Sequence, residues 1–404
     1  MNYLTISIIL GILLITTQLV TIILFLNDYR KRRKIKKFPF ISFIIPCYND
    51  EQTIEKTIES IYESCKKSNM ELFTINDSSS DNSLEILKKL KKKYGFNLIN
   101  NIENKGKSLS INNAAVQAKG EIIFIIDSDI ILNKPALEDV IARFNNNSKL
   151  GAVSCEYKCD NKRFLLKMQN IEYSTLTILH AAGNNYSSTG LCGGCMAIKK
   201  DSFMKVGMLT QNAISEDLDM ALKLNKIKLK VEQSLFLVNT ESPIKLKKWY
   251  KQKLRWGSGI VQCFLRYYSV YLTNPIYLFI ILSSLLSIIL AFFLVYNNII
   301  VLREFLANTL LLTIPGLKEF FSVIEEYTMF WGTVIGFLIY PLLFLPYVLF
   351  NIKSKSQKYS DLILVYPYVL IYMPLLTIVY LISIFRGIYK FFTLKEKDIG
   401  WRLE

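Results

Sequence analysis

Apolar residues fall along this chain in two patterns, and the switches between them divide it. Residues 3–26 are apolar and uncharged over more than the roughly 20 positions a helix needs to cross a bilayer core, too long a run for a signal-peptide core. From Phe38 the pattern changes to short apolar runs separated by polar helical stretches. Residues 41–45, 72–75, 96–99 and 121–126 read as strands, and 51–65, 81–93 and 108–118 as helices. Strands alternating with helices of this length predict an α/β fold with a mainly parallel, Rossmann-like sheet. Long apolar runs return at 275–296, 329–350 and 362–385, each long enough to span.

The central strand is the most informative. In the segment 120–130, GEIIFIIDSDI, an isoleucine-rich run that reads as a strand buried on both faces ends in Asp127-Ser128-Asp129. Two carboxylates at i and i+2 beyond a strand can face one ion, and oxygen ligands of this kind suit Mg²⁺ or Mn²⁺. The edge they occupy is where open α/β sheets bind ligands. The other turns on that edge are polar too. The first runs Pro46-Cys47-Tyr48-Asn49-Asp50-Glu51, the second Asn76-Asp77-Ser78-Ser79-Ser80-Asp81, and the third Asn104-Lys105-Gly106-Lys107-Ser108. Asn49, Asp50 and Asp81 are placed to cap the helices that follow. The third turn ends like a phosphate-cradling loop, but Asn101 stands where that motif needs its first glycine. Four such turns in succession favour a nucleotide cleft over four unrelated caps.

Further on, Gly193 and Gly194 stand ahead of a short apolar run and permit close backbone approach, as a plain turn or as a loop touching a ligand. Glu216-Asp217 opens a predicted helix running through Leu224, where acids favour the N-terminus. Gln252, Arg255 and Trp256 fall on one face of a helix, offering an amide, a guanidinium for phosphate oxygens and a flat indole for a sugar ring. The same stretch also reads as a basic amphipathic interfacial helix.

Composition refines this picture. Hydrophobic residues make up 51% of the 404 and the mean hydropathy is positive, which places the extra elements in membrane. The net charge of +16 does not indicate nucleic acid, because the block RKRRKIKK at 30–37 follows directly on the first apolar run, where cytoplasmic charge is expected. Lys353, Lys355 and Lys358 likewise favour an inside connection. That parity puts the basic tail outside unless 299–314 is a further span or re-entrant element, and both topologies stay open. Seven cysteines lack a second pair spaced for zinc, so reduced thiols are expected, and the single His180 is expected to be packed.

The four turns, the DxD triplet, the Glu216-Asp217 pair and Gln252-x-x-Arg255-Trp256, in this order, resemble family 2 glycosyltransferases, and the last motif resembles that of the processive polysaccharide synthases in that family. Ile130 departs from it, standing where many members have threonine. The resemblance implies a GT-A fold. It also implies Pro46, Tyr48, Asn49, Glu51, Asp77, Lys107, Asp127 and Ser128 at the nucleotide-sugar, a metal on Asp127 and Asp129, and Asp217 as general base beside Glu216. Gly193, Gly194, Gln252, Arg255 and Trp256 would hold the acceptor or diphosphate. The expected partners are a UDP-sugar, a growing polysaccharide, the lipid bilayer and room for an accessory membrane subunit, with no nucleic acid. Residues 75–82 and 215–217 resemble the members that polymerise N-acetylglucosamine, making UDP-N-acetylglucosamine the expected donor.

The expected organisation is a transmembrane helix in 1–29, a GT-A domain in 38–245, the Gln252–Trp256 motif with amphipathic interfacial helices in 246–273, a membrane region in 274–386 and a tail in 387–404. This describes a multi-pass protein of the cell membrane with its catalytic domain in the cytoplasm. The alternatives are a non-processive transferase acting on a lipid-linked acceptor and a non-catalytic membrane scaffold or channel.

Overall fold

Three of the four apolar runs become strands covered by helices on both sides, and the fourth forms the sheet's more exposed edge. β1 (Ile41–Cys47) and β4 (Ile122–Ile126) are buried at every position, and β2 (Met70–Asp77) nearly so. In the computed structural model, which describes residues 3–275 except 161 and 189, positions 277, 278 and 282, and residues 340–393 except 355 and 356, these strands pair in parallel with β3 (Asn97–Asn101). Their side chains alternate between two apolar layers. Phe43, Ile45, Phe124 and Ile126 face one, where the Phe43 and Phe124 rings stack at 5.3 Å; Ile44, Ile75, Ile123 and Ile125 face the other. The crossovers are α2 (Ile54–Ser64), α3 (Ser83–Tyr94) and α4 (Lys107–Gln117), and α5 (Lys134–Asn146) follows β4.

Beyond β4 the sheet stops being parallel. Its order is β3-β2-β1-β4-β7-β5-β8, with β5 (Leu150–Ser154), β7 (Cys195–Lys199) and β8 (Lys230–Gln233), and β7 runs antiparallel to both β4 and β5. This reversal positions the site. Because Ile126 pairs with Cys195, the chain just before β7 is laid against the residues just after β4. A second small sheet pairs β6 (Tyr157–Lys158) with β9 (Val238–Asn239), and a bridge from Ile131 to Asn239 ties it to the turn after β4. Helices α6 (Phe164–Gly183), α7 (Lys200–Lys205), α8 (Glu216–Lys226) and α9 (Leu246–Thr273) complete this half.

Outside the α/β unit, α1 (Tyr3–Tyr29) packs on α6, and α10 (Leu345–Lys353) and α11 (Met373–Thr393) return to pack on α6 and α9. Among the described residues one helical stretch, Tyr359–Thr393, is long and apolar enough to cross a membrane by length and composition. It runs alongside α9 in the same direction, with Trp249 bonded to Tyr372, Gly257 against Ser383 and Val261 against Gly387. The helix therefore continues well past 385, through the expected start of the tail. The expected span at 275–296 and the apolar segment 299–314 lie largely or wholly outside the described residues, as does the first half of the expected span at 329–350.

Two local expectations change. Thr53, not Asn49 or Asp50, precedes α2, and it makes no side-chain cap. The side chains of Asn49 and Asp50 instead reach across to neighbouring turns, a use that short-range pattern does not encode. Asp81 does accept the N–H of Ser83, the first residue of α3, at 3.0 Å.

Candidate active site

The turns after β1 and β2 are knitted together before any ligand is considered. Asn49 and Ser78 both hold the left-handed conformation, at φ 59° and 65°. Asn49 Oδ1 accepts the Ser80 N–H at 2.8 Å, Glu51 accepts the Asn82 N–H at 2.9 Å, and the Glu51 N–H donates to Asp81 at 3.1 Å. Asn49 and Glu51 thus shape the rim through each other's turns. Pro46 sits inside β1 opposite Ile75, and the Tyr48 N–H donates to Asp50. Asp50 also accepts the Ser128 hydroxyl at 2.5 Å, which ties the first turn to the DxD triplet. Fully buried Asp77 gathers the third turn: it accepts from Asn101, Ser110 and the backbone N–H groups of Lys105 and Gly106, all within 3.0 Å.

That last clamp aims Lys107. Its ammonium lies 2.8 Å from Asp127 and 2.9 Å from Glu216, joining the turn after β4 to the start of α8. The antiparallel β7 closes the same point from the other side. The Asp127 N–H donates to the Gly194 carbonyl at 2.9 Å, and the Gly194 N–H donates to the Tyr157 hydroxyl at 2.7 Å. A Cβ on Gly194 would stand 2.5 Å from that hydroxyl, and one on Gly193 would stand 2.7 Å from an Asp217 carboxylate oxygen. Glycine at both positions is what lets the chain come this close.

The carboxylates differ in how their surroundings treat charge. Burial would raise Glu216, but Lys107 and Arg255 outweigh it and hold the group below its ordinary range. Asp217, its neighbour, is pushed up to about 6, first by burial and then by the Glu216 charge. Burial, then the negative charge of Asp127, lift Asp129 to about 7, against a hydrogen bond from Thr240 at 3.0 Å. Asp127 is itself raised, because burial outweighs Lys107. Two adjacent carboxyls driven in opposite directions suit one permanent anion and one proton acceptor working near neutrality.

The metal expectation can be tested against this donor set. Asp127 and Asp129 supply only oxygen, and no third His, Cys, Asp or Glu joins them in a ligand cluster among the described residues. One or two carboxylates completed by water and substrate phosphate is the ordinary arrangement for Mg²⁺ and is open to Mn²⁺. Asp129 is buried beside the Asp127 carboxylate, and a cation there would offset both the burial and the like charge that raise it, so the residues fit the ion.

The structure brings Lys107, Asp127, Glu216, Asp217 and the field of Arg255 into one cluster, with Asp129 at its edge. A cleft of about 430 Å³ opens at Asp129 and is lined by Thr53, Lys56, Asn239 and Thr240 among others; Asp217 does not line it. Gln252 lies on α9 with its buried Oε1 unpartnered among the described residues. Trp256 packs beside Tyr173 with ring centres 6.5 Å apart. Tyr157 and Thr240 were missed from sequence because each comes from a two-residue strand or its flank, too short to leave a pattern. Lys253 lies inside the Gln252–Trp256 motif, where a lysine in a basic helix carries no signal of its own burial. All seven cysteines are free and buried, and His180 packs against Gly190 with Glu156 at 3.7 Å.

Residues 42–207 match the family model described as Glycosyl transferase family 2. A poly-β-1,6-N-acetyl-D-glucosamine synthase of Staphylococcus epidermidis is 29% identical over 74% of this chain and 73% of its own. Its namesake in Staphylococcus aureus strain COL is 30% identical over 62% of each, so that match spans less than two thirds of the relative. Among solved structures, the mannosyltransferase PcManGT from Pyrobaculum calidifontis, in complex with GDP-Man and Mn²⁺, shares the fold. It aligns with a TM-score of 0.59 and 16% identity over 83% of this chain and 98% of its own.

Proposed function

We propose that this chain, whose residues 42–207 match the family 2 glycosyltransferase model and which resembles the poly-β-1,6-N-acetylglucosamine synthases, polymerises a β-linked polysaccharide from a UDP-sugar. UDP-N-acetylglucosamine is the donor the relatives' names favour. The observation that carries the reading is the ionic knot Lys107–Asp127–Glu216 with Asp217 beside it at about 6.

In this reading the turns after β1 and β2 receive the nucleoside, and Lys107 and Arg255 meet the diphosphate with positive charge. Asp127 and Asp129 would hold a divalent ion, which when bound neutralises charge on the departing diphosphate. The acceptor hydroxyl gives its proton to the Asp217 carboxylate and its oxygen attacks the anomeric carbon opposite the bond to UDP; that bond breaks, UDP leaves, and the configuration inverts. The unpartnered Gln252 Oε1 accepts from a sugar hydroxyl, and Trp256 offers its face to the terminal ring of the growing chain. Glu216, held ionised by Lys107, keeps Asp217 basic enough to take the proton.

The apolar α1 and the Tyr359–Thr393 helix would anchor the enzyme as a multi-pass protein, with the catalytic unit on the side of the basic block at 30–37. Purified full-length chain in lipid, supplied with individual UDP-sugars with and without Mn²⁺ and scored by product length, tests the reading. A ladder of long products with one UDP-sugar is expected. Addition of a single residue that then stops would replace polymerisation with one-step transfer to a lipid-linked acceptor.

A further inference from the structure

The proposed mechanism uses Gln252, Arg255 and Trp256 but not the lysine among them. Lys253 is fully buried, and its ammonium sits 2.9 Å from Glu172 and 3.8 Å from the centre of the Trp256 ring, with the Tyr173 ring at 5.4 Å. A buried ammonium is costly unless paired, and here the pairing reaches across three elements. Glu172, on α6, uses its other oxygen to accept from the Tyr372 hydroxyl at 2.5 Å, and Tyr372 accepts in turn from the Trp249 indole N–H at 2.8 Å. Tyr372 closes the single π-helical turn Tyr368–Tyr372 in the Tyr359–Thr393 helix, and such turns recur at functional sites. One carboxylate therefore joins α6, α9 and the C-terminal apolar helix directly behind the indole.

We propose that Lys253 is a positioning residue for the acceptor. Held by Glu172 and Tyr372, its ammonium fixes the Trp256 indole in the orientation that receives the terminal sugar, so acceptor binding depends on how the C-terminal helix is seated against α9. This rests on the reading of Trp256 as the acceptor's stacking surface. If packing were all that Lys253 supplied, an apolar side chain of similar length would serve as well, because replacing a buried ion pair by matched apolar groups is often neutral for stability. A cation over an indole, by contrast, is directional.

The experiment uses the full chain in lipid nanodiscs, with UDP-N-acetylglucosamine as donor and a β-1,6-linked N-acetylglucosamine pentasaccharide as acceptor probe. In Lys253→Met/Glu172→Gln, which removes both charges together, the KM for the pentasaccharide should rise roughly thirtyfold, the size of a desolvated cation–π contact. The KM for the donor should stay unchanged. Lys253→Arg should restore acceptor KM, since a guanidinium also stacks on indole, and Tyr372→Phe should fall between. An unchanged acceptor KM in the charge-free pair, while Trp256→Ala raises it, overturns the proposal and leaves the stacking reading intact. An unchanged KM in Trp256→Ala overturns both. If the double variant does not fold, Lys253→Gln against Lys253→Arg decides: equal acceptor KM in the two overturns the proposal.

Discussion

The chemistry of single residues turns on two raised carboxyls. Asp217 at about 6 must lose its proton to serve as base, so kcat/KM should climb as pH rises through 6 and flatten above it. Asp217→Asn should lower transfer by roughly 10²–10⁴-fold while leaving UDP-sugar binding measurable by calorimetry; undiminished UDP release would remove Asp217 from the base role. Asp129 at about 7 has a stability consequence of definite sign. Between the ordinary carboxylate value near 4 and 7, the folded protein binds a proton that the unfolded chain does not, so this group's contribution is fully present below about pH 4 and is lost as pH rises to 7. The loss is on the order of a few kcal/mol. Without divalent cation, Asp129→Asn should therefore melt higher than the parent at pH 8 and equal to it at pH 4, and added Mn²⁺ should stabilise the parent but not the variant. The sequence showed these acids and their order. It could not show which of them burial would raise, because Lys107, Glu216 and Asp127 meet only after the chain has folded.

At the scale of elements, the alternation of apolar and polar runs was enough for β1 to β4 and for α2 to α4, because β1, β2 and β4 are buried on both faces and leave a continuous apolar signature. It gave no sign that β7 runs backwards, although that reversal delivers Gly193 and Gly194 to the carboxylates. Nor did it show what holds α8, the helix that begins with Glu216 and Asp217. Asp219, fully buried on that helix, accepts from Arg266 at 2.8 Å, from Tyr267 at 3.0 Å and from Thr210 at 2.5 Å. Tyr267 stands at a break in α9, with φ −125° and ψ 30°. Gln262, one turn earlier on α9, accepts the Ile214 N–H and donates to the Asn212 carbonyl, clamping the loop ahead of Glu216. These contacts run from α9 to α8 with an apolar cluster around them. Arg266→Ala removes the guanidinium but leaves Lys223 at 3.5 Å and two hydroxyl donors, so it should cost about 1–3 kcal/mol rather than the full value of a stranded buried charge. Chemical denaturation would measure it, and Arg266→Lys should recover part of the loss. A neutral result for Arg266→Ala would mean that Lys223 and the two hydroxyls satisfy Asp219 without the guanidinium.

Over the whole molecule, the question is how an apolar N-terminal helix is joined to a catalytic unit that begins only at β1. The link is a cluster of buried charge. Asp28, in the last turn of α1, is fully buried and is met there by Arg143, Arg33 and Asn184. Arg143, also fully buried, binds Asp28 at 3.2 Å, Asp139 at 2.8 Å and Glu232 at 2.9 Å. From there the connection continues to the site: Ser234, just past β8, donates to Asp139 at 2.7 Å, and the same segment leads through β9 to Thr240, which holds Asp129. None of this is legible in the sequence, since Asp28, Arg143 and Glu232 lie far apart along the chain and no spacing pairs them. Arg143→Met takes the shared buried cation from Asp28, Asp139 and Glu232, leaving Arg33 beside the first and last of them, and should destabilise by roughly 3–5 kcal/mol. Neutralising the partners with it, as Asp28→Asn/Arg143→Met/Glu232→Gln, should return most of that loss, because matched neutral groups replace a buried ionic cluster at little cost. Thermal unfolding of the two variants gives the comparison, and protease sensitivity of the basic segment 30–37 reports whether α1 has come away. If both variants are equally unstable, packing around Arg143 rather than its charge joins α1 to the catalytic unit. If Arg143→Met is stable but its KM for Mn²⁺ rises, the cluster acts on Thr240 and Asp129 instead of on the anchoring of α1.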